Sequence, residues 1–257
     1  MAGGFRPPHA FTYLPLRRLY RRADAVVTYG EHVSEYVRAR GAQNVHIAAQ
    51  SVDNDFWRGA SPEPQRQGAP ALPWPARATT RFLFVGRSAR EKGLDVLLDA
   101  WRASDLARAG AALAVVGDGA GVSAAALTRA GTVSAAELRR MYALADVLVV
   151  PSIATRTFRE PWGLVVNEAM NCSTAIIASD AVGAAAGGLV RDGATGIVVR
   201  AGDSADLGRA MRLLARDAEL RSRYALAGAD AVLDYSHDAW ARGFSEALAA
   251  LGRSRGR

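Results

Sequence analysis

Residues 81–86 read RFLFVG, and this run indicates how the largest part of the chain folds. Four consecutive apolar residues that end at a glycine are typical of a short strand covered on both faces. A predicted helix follows at Leu94–Ala107, where three leucines and Trp101 share one face. Apolar runs and helical spacing keep alternating, with strands predicted at Leu113–Val116, Val147–Val150, Ala175–Ala178 and Ile197–Val199, and helices at Glu137–Leu144, Leu164–Met170, Asp206–Ala215 and Glu219–Ala227. This alternation predicts an α/β fold with a doubly wound parallel sheet.

The alternating region is predicted to form one Rossmann-like domain over residues 79–235, which is long enough for a single hydrophobic core. A further helix is predicted after it, because Ser236 is a favoured N-cap residue and apolar residues follow at helical spacing. Residues 236–257 are therefore predicted to hold this helix, to about Gly252, and a basic tail.

The N-terminal segment, residues 1–78, is less regular. Short strands are predicted at Ala23–Thr28 and Val45–Ala48, on either side of a helix at Glu31–Arg40. Five prolines lie between residues 61 and 75 and predict a linker at the end of this segment.

Composition narrows the classes of protein to which the chain can belong. Of its 257 residues, 50% are hydrophobic and 22% charged, which is typical of a folded protein rather than a disordered one. The single cysteine, Cys172, excludes a disulfide framework and a CxxC metal or redox site. The N-terminal sequence lacks the apolar core of a signal peptide, and no apolar run is long enough to cross a membrane, so a cytoplasmic location is predicted. The net charge of +7 favours anionic partners: nucleic acid, anionic lipid or phosphorylated small molecules.

The segment after the first predicted strand, GRSAREKG at residues 86–93, is the first candidate site. In an open parallel sheet, ligands bind at the carboxyl ends of the strands, where helix N-termini gather. Gly86 and Gly93 allow a close approach of the backbone, and Arg87 and Lys92 supply positive charge for a phosphate. The segment indicates either a phosphate site or a basic loop in solvent. It matches neither GxGxxG nor a Walker loop, which disfavours a nicotinamide cofactor and a kinase-like NTPase.

The segment after Val147–Val150 contains two glutamates, Glu160 and Glu168, with seven residues between them. A helix is predicted to begin between the two, so both side chains can face the strand ends. Carboxylates are suited to accept hydroxyl hydrogens from a sugar or a ribose, and Gly163 permits a second close approach to phosphate. For the pair taken alone, a simpler interpretation is stronger: Glu160 caps the helix and Glu168 is an exposed helical charge.

The order of these segments resembles the donor-binding half of glycosyltransferase family 4, retaining enzymes with two facing Rossmann-like domains (the GT-B type). The resemblance covers about residues 20–250, and EPWGLVVNEAM at residues 160–170 is its most specific part. The other matching motifs are Gly86-Arg87 with Lys92-Gly93, VGDG at 116–119, GTV at 131–133, Pro151-Ser152 and LVRDGATGIVV at 189–199, preceded by ADAVVTYGEHVSEYV at 23–37 and SVDNDFW at 51–57. Residues 1–78 would then be the remnant of an N-terminal acceptor domain with its linker, and residues 79–235 the nucleotide-sugar domain.

The resemblance implies transfer of a sugar from a nucleoside-diphosphate sugar to a glycan, lipid or small-molecule acceptor. It assigns catalytic roles to Arg87, Lys92 and Glu160. Arg87 and Lys92, beside Gly86, would bind the donor diphosphate and stabilise its charge as it leaves, and Glu160 would hold hydroxyls of the transferred sugar. The nucleotide sugar is then a substrate and no cofactor is implied. No metal is implied either, because cationic side chains replace it, and the four histidines are scattered without ligand spacing.

The same resemblance assigns further donor-binding residues. Backbone N–H groups around Gly163 and Leu164 would complete the phosphate cradle. Glu168 would hold the ribose hydroxyls, and main-chain atoms near Val133 would meet the base.

Several departures from the family pattern shape the hypothesis. Residues 171–175 read NCSTA where family members have a small residue, glycine and proline, and the stretch from Gly119 to Gly131 is short enough to lack a helix–strand unit. The 78 residues before the donor domain are too few for a complete first domain, so we expect a truncated or partial enzyme. The alternative is a catalytically inactive nucleotide-sugar-binding module that acts with a partner chain. A nucleotide-sugar epimerase ranks lower, because the paired-glutamate segment fits the transferases better. No nucleic-acid partner is predicted, because the arginines are dispersed without aromatic interleaving.

A basic run near the N-terminus, Arg17, Arg18, Arg21 and Arg22, has two interpretations. It is either a peripheral contact with the anionic inner face of the membrane, as would suit a lipid-linked acceptor, or a solvated face of the domain remnant. The sequence alone favours the solvated face.

Overall fold

The computed structural model describes residues 7–59, 73–118, 123–156 and 158–254. It contains two compact units, one of Met1–Gln50 with His237–Arg257 and one of Ser51–Ser236.

The first limit of the second unit lies after Gln50 rather than at the predicted residue 78, whereas its second limit, after Ser236, is one residue from the predicted one. The chain after Gln50 groups with the sheet, and the C-terminal helix groups with the N-terminal unit rather than standing alone. Two contacts of tryptophan side chains explain why the chain after Gln50 groups with the sheet. The indole N–H of Trp74 donates to the carbonyl of Phe82 at 2.9 Å, and the Trp57 ring meets the Tyr142 ring edge-on at 5.7 Å between centroids. The predicted linker at 61–75 lies largely outside the described residues.

The first unit begins with a helix that the sequence analysis did not predict. Its elements in chain order are α1 (Pro7–Arg22), β1 (Val26–Thr28), α2 (Glu31–Arg38) and β2 (Val45–Ile47). The predicted helix and both predicted strands are confirmed with slightly shorter bounds. The strands β1 and β2 pair in parallel.

The second unit carries the alternation of strands and helices that the sequence predicts. Its elements are α3 (Asn54–Arg58), β3 (Arg81–Val85), α4 (Leu94–Arg102), β4 (Ala112–Val116), β5 (Leu127–Ala130), α5 (Ala135–Leu144), β6 (Val147–Val150), α6 (Val165–Asn171), β7 (Ala175–Ser179), α7 (Gly183–Ala186), β8 (Ile197–Val199), α8 (Ser204–Arg216) and α9 (Ala218–Ala231), with short 3₁₀ turns at Arg90–Lys92 and Val232–Asp234.

All strands of the second unit are parallel, in the order β5-β4-β3-β6-β7-β8. Phe82, Leu113 and Val147 sit at matching positions of adjacent strands and are fully buried. The strands that follow β3, namely β4 and β5, extend the sheet on one side, and the strands that follow β6, namely β7 and β8, extend it on the other side. The loops that follow β3 and β6 therefore flank the topological switch point, where open α/β sheets bind ligands.

The strand β5 was not predicted, because its residues LTRA are half-exposed and lack an apolar run. It occupies the region between Gly119 and Gly131 in which a missing helix–strand unit was expected. The strand is present, and residues 123–126 before it contain no helix; residues 119–122 lie outside the described part of the chain.

The chain's last described helix, α10 (His237–Ser254), packs on β1 and β2 of the first unit. The contact is close at Gly243, where a Cβ atom would lie 2.2 Å from the carbonyl oxygen of Ile47. Among the helices of the described residues, none is both long and apolar enough to cross a membrane.

Candidate functional site

The loop after β3 is held by the loop after β4. The Gly86 N–H donates to the Val116 carbonyl at 3.0 Å, and the Ser88 N–H donates to Oδ1 of Asp118 at 2.6 Å. Gly117 has φ +130°, and a Cβ atom there would lie 2.1 Å from the Gly86 carbonyl oxygen. Only glycine allows this contact between the two loops, and the contact with the loop after β4 fixes the backbone that precedes Arg87.

The far end of the same loop is held by the loop after β6. Gly93 ends the 3₁₀ turn at φ +68°, and a Cβ atom there would lie 1.9 Å from the Pro151 carbonyl oxygen. The Ile153 N–H also donates to the Glu91 carbonyl at 2.9 Å. These contacts bring Lys92, between Glu91 and Gly93, against the second predicted segment.

The structure brings Lys92 and Glu160 together. The Lys92 ammonium is ion-paired with Oε2 of Glu160, and the Ser152 hydroxyl lies 3.4 Å from the same oxygen. The Glu160 side chain is 8% exposed and that of Lys92 23%, so the pair is largely withdrawn from water. Glu160 does not cap the helix, because α6 begins after Leu164 without a side-chain hydrogen bond. A cation beside a carboxylate at the switch point suits a ligand that carries both phosphate and hydroxyl groups.

Arg87 is not part of this buried group. Its side chain is 68% exposed, and its ion-pair partner is Glu91 at 3.5 Å. An ion pair of this length whose guanidinium is exposed contributes little to stability. The guanidinium is therefore free to turn toward an anion, and its predicted role stays a prediction.

Glu168 lies one helical turn inside α6 and is half-buried, so the interpretation of it as an exposed charge is wrong. The Tyr142 hydroxyl donates to its Oε2 at 2.9 Å. Burial raises the pKa of the Glu168 carboxyl, and the hydrogen bond from Tyr142 lowers that pKa in part. The Glu168 carboxylate therefore accepts a hydrogen bond from a neutral hydroxyl, whereas the Glu160 carboxylate is paired with a cation.

The other predicted donor-binding positions lie at the same edge of the sheet. Gly163 has φ +90° and turns the chain into α6, and Leu164 is exposed. Val133 is half-buried between β5 and α5, directly before Ser134, whose side chain caps α5. The roles of all three stay predictions.

Two residues that complete the site were not assigned roles from the sequence. Asp118 holds the loop after β3, and Tyr142 holds Glu168. The signal for Tyr142 was available, because a tyrosine on the buried face of a predicted helix needs a hydrogen-bond partner for its hydroxyl. No group of three His, Cys, Asp or Glu side chains suited to a metal ion occurs in the part of the chain that the structure describes.

Known sequences are similar to this chain over the region that contains these segments. A family model described as "Glycosyl transferases group 1" matches residues 79–217. The chain is 36% identical over 176 residues to a phosphatidyl-myo-inositol mannosyltransferase of Mycobacterium leprae, covering 65% of this chain and 46% of that protein. It is 33% identical over 207 residues to an alpha-maltose-1-phosphate synthase of Mycobacterium tuberculosis, covering 72% and 51%. The chain thus spans about half the length of these curated relatives.

Solved structures confirm the predicted fold class, a parallel-sheet, Rossmann-like α/β fold as in GT-B glycosyltransferases. Anabaena Alr3699/HepE in complex with UDP and glucose matches with a TM-score of 0.72 and 18% identity, over 95% of this chain and 69% of that one. Sucrose-phosphate synthase from Thermosynechococcus elongatus matches with a TM-score of 0.71 and 21% identity, over 95% and 62%. With its switch-point site and the family match over more than half its length, this chain belongs to the group 1 glycosyl transferases.

Proposed function

We propose that this chain carries the donor site of a retaining glycosyltransferase, which transfers a sugar from a nucleoside-diphosphate sugar to an acceptor. The observation that carries the proposal is the buried Lys92–Glu160 pair at the switch point. A donor of this class presents a diphosphate next to sugar hydroxyls, which are the complements of an ammonium and a carboxylate. The solved structures of HepE with UDP and with UDP-glucose support the choice of donor.

In this proposal Lys92 serves two partners at once. An ammonium has three N–H donors, so Lys92 can keep Glu160 while it donates to a phosphate oxygen. As the bond between the sugar carbon and the diphosphate breaks, negative charge grows on the leaving oxygen, and a cation already in place stabilises it. Arg87 would turn from Glu91 to the same diphosphate. Retention follows if the acceptor attacks from the face that the diphosphate leaves.

The two glutamates would divide the rest of the donor. Oε2 of Glu160 is engaged by Lys92, so Oε1 would accept a hydroxyl of the transferred sugar. Glu168 would accept a ribose hydroxyl, the backbone at Gly163 and Leu164 would approach the diphosphate, and the main chain near Val133 would meet the base.

A ligand screen tests this proposal directly. UDP-, GDP- and ADP-glucose are added separately, and the melting temperature of the chain is measured. We expect one donor to raise it, because a ligand that binds only the folded state stabilises that state by mass action. Lys92→Ala should remove the shift. No shift with any of the three would contradict the proposal. Binding without acceptor-dependent donor consumption in the longest available form of the protein would instead favour the inactive binding module.

We further propose that α1 contacts an anionic membrane surface. Arg17, Arg18, Arg21 and Arg22, with Leu14, line a groove of about 540 Å³, and within the described residues none of these arginines has an ion-pair partner. The leucines favour a membrane over plain solvation, because Leu14 and Leu19 are 69% and 61% exposed beside the positive charge. Each arginine near an anionic surface contributes about 1 kcal/mol.

Co-sedimentation with phosphatidylserine-containing vesicles and with phosphatidylcholine vesicles tests the membrane contact. We expect binding to the anionic vesicles alone, at low salt, and a weaker binding for Arg17→Ala/Arg18→Ala. Equal sedimentation with both vesicle types would contradict a contact between these arginines and anionic lipid.

A further inference from the structure

Tyr142, the hydrogen-bond partner of Glu168, is held in place by contacts of both its ring and its backbone. Its side chain is fully buried, and its ring meets the Trp57 ring edge-on at 5.7 Å between centroids. Its main-chain carbonyl accepts a hydrogen bond from the Thr174 hydroxyl at 2.8 Å. Because contacts restrain both the ring and the backbone of Tyr142, the position of its phenol oxygen is fixed. In that position the hydroxyl donates to Oε2 of Glu168 at 2.9 Å.

Whenever Glu168 is ionised, the Tyr142 hydroxyl is the donor of this hydrogen bond. Burial, followed by the charge of Glu168, raises the pKa of the Tyr142 phenol well above its usual value. The phenol therefore stays protonated, and it can always donate to the ionised carboxylate. Its partner oxygen is Oε2, and Oε1 of Glu168 has no partner within the described residues.

We infer that Tyr142 is a positioning residue: its buried hydroxyl holds one oxygen of Glu168 and so presents the other oxygen to a single ligand hydroxyl. The inference rests on the proposed function in one respect, namely that this ligand hydroxyl belongs to the ribose of a nucleotide. Without the phenol, the carboxylate would lose its rotamer restraint and its hydrogen-bond donor together.

The surroundings leave Tyr142 as the one donor that the structure gives to this carboxylate among the described residues. Of the ionisable groups nearby, the Cys172 thiol is neutral, because burial raises its pKa to about 12. Arg139 donates to the Phe56 carbonyl at 2.7 Å rather than to Glu168. From α3, which packs on α6, Asn54 Oδ1 accepts a hydrogen bond from the Asn171 side chain at 2.8 Å, and the charged residues of α3, Asp55 and Arg58, are exposed.

The test is Tyr142→Phe, which keeps the ring and removes the hydroxyl. Tyr224→Phe is the matched control, because Tyr224 is also a buried tyrosine of this unit but lies on α9. The first measurement is the pKa of Glu168 by carbon-13 NMR without ligand, which we expect to rise in Tyr142→Phe only. The second is the ratio of dissociation constants for 2′,3′-dideoxy-UDP and UDP, or the GDP or ADP pair if the screen selects that base. We expect this ratio to fall about tenfold in Tyr142→Phe, while affinity for inorganic pyrophosphate is unchanged.

The two measurements separate the inference from the proposed function. An unchanged pKa of Glu168 in Tyr142→Phe overturns the inference whatever binds, and so does an unchanged ribose ratio in a variant that still binds nucleotide. If no nucleoside diphosphate binds the unaltered chain, both the proposed function and the assignment of the ligand hydroxyl to a ribose are wrong. The NMR result still decides whether Tyr142 holds Glu168. If Tyr142→Phe does not fold, the hydroxyl proton of Tyr142 is followed in the unaltered chain. A slowly exchanging signal that shifts as Glu168 titrates supports the inference, and a signal that does not shift overturns it.

Discussion

Glu160 and Glu168 lie eight residues apart on the two sides of one helix start, yet the chain holds them in opposite ways. Glu160 is paired with the Lys92 cation and approached by the Ser152 hydroxyl, on loops that meet at the switch point. Glu168 is on α6 and receives a neutral phenol donor from α5. The first carboxylate depends on a long-range contact between two loops, and the second depends on two helices packed together. A change that breaks one should therefore spare the other.

The largest effect is expected from Gly93→Ala, which breaks only the Glu160 side. The added Cβ would meet the Pro151 carbonyl oxygen at 1.9 Å, at a residue with φ +68°. We expect the free energy of unfolding to fall by about 2–4 kcal/mol in urea titrations. The matched control is Gly202→Ala, where φ is +80° and nothing lies within 4 Å of the added atom. Equal losses in the two variants would show that the Gly93–Pro151 contact does not shape the site.

A smaller effect is expected from removing the pair itself. Lys92→Met and Glu160→Gln should each lower the free energy of unfolding by about 1–3 kcal/mol, because each leaves its partner withdrawn from water and unpaired. The double variant should lose less than the sum of the two. The pair Arg108–Asp105, in which both side chains are exposed, provides the control when changed in the same way and should show coupling near zero. Additive losses for Lys92 and Glu160 would contradict the buried-pair account.

The smallest effect is a pH dependence on the Glu168 side. Because burial raises the pKa of Glu168 in the folded chain, the unfolded chain releases this proton at a lower pH. The folded state therefore loses stability as pH rises from the ordinary glutamate value to the raised one. Glu168→Gln removes that loss, so its stability relative to the unaltered chain should increase over this interval and then stay level. A difference that is constant with pH would show that Glu168 is not desolvated.

The same comparison shows what the sequence could predict and why the rest required coordinates. The strands β3, β6 and β8 have their predicted bounds, because a continuous apolar run in a parallel sheet is a local signal. The meeting of Lys92 with Glu160 is not local, because it requires contact between Gly93 and Pro151, which are 58 positions apart in the sequence. The contact of Tyr142 with Glu168 depends on how α5 packs against α6, and the spacing of residues in the sequence does not predict that packing. The strand β5 could not be predicted because it contains too few apolar residues.

The central claim, that the two glutamates hold different parts of one donor, is tested most directly by calorimetry with two ligands. The ligands are the nucleoside diphosphate and its glucose derivative, for the base that the donor screen selects, and the variants are Glu160→Ala and Glu168→Ala. We expect Glu168→Ala to weaken both ligands about equally, by roughly tenfold, because both contain the ribose. Glu160→Ala should weaken only the glucose derivative. Equal losses for both ligands in both variants would contradict the account.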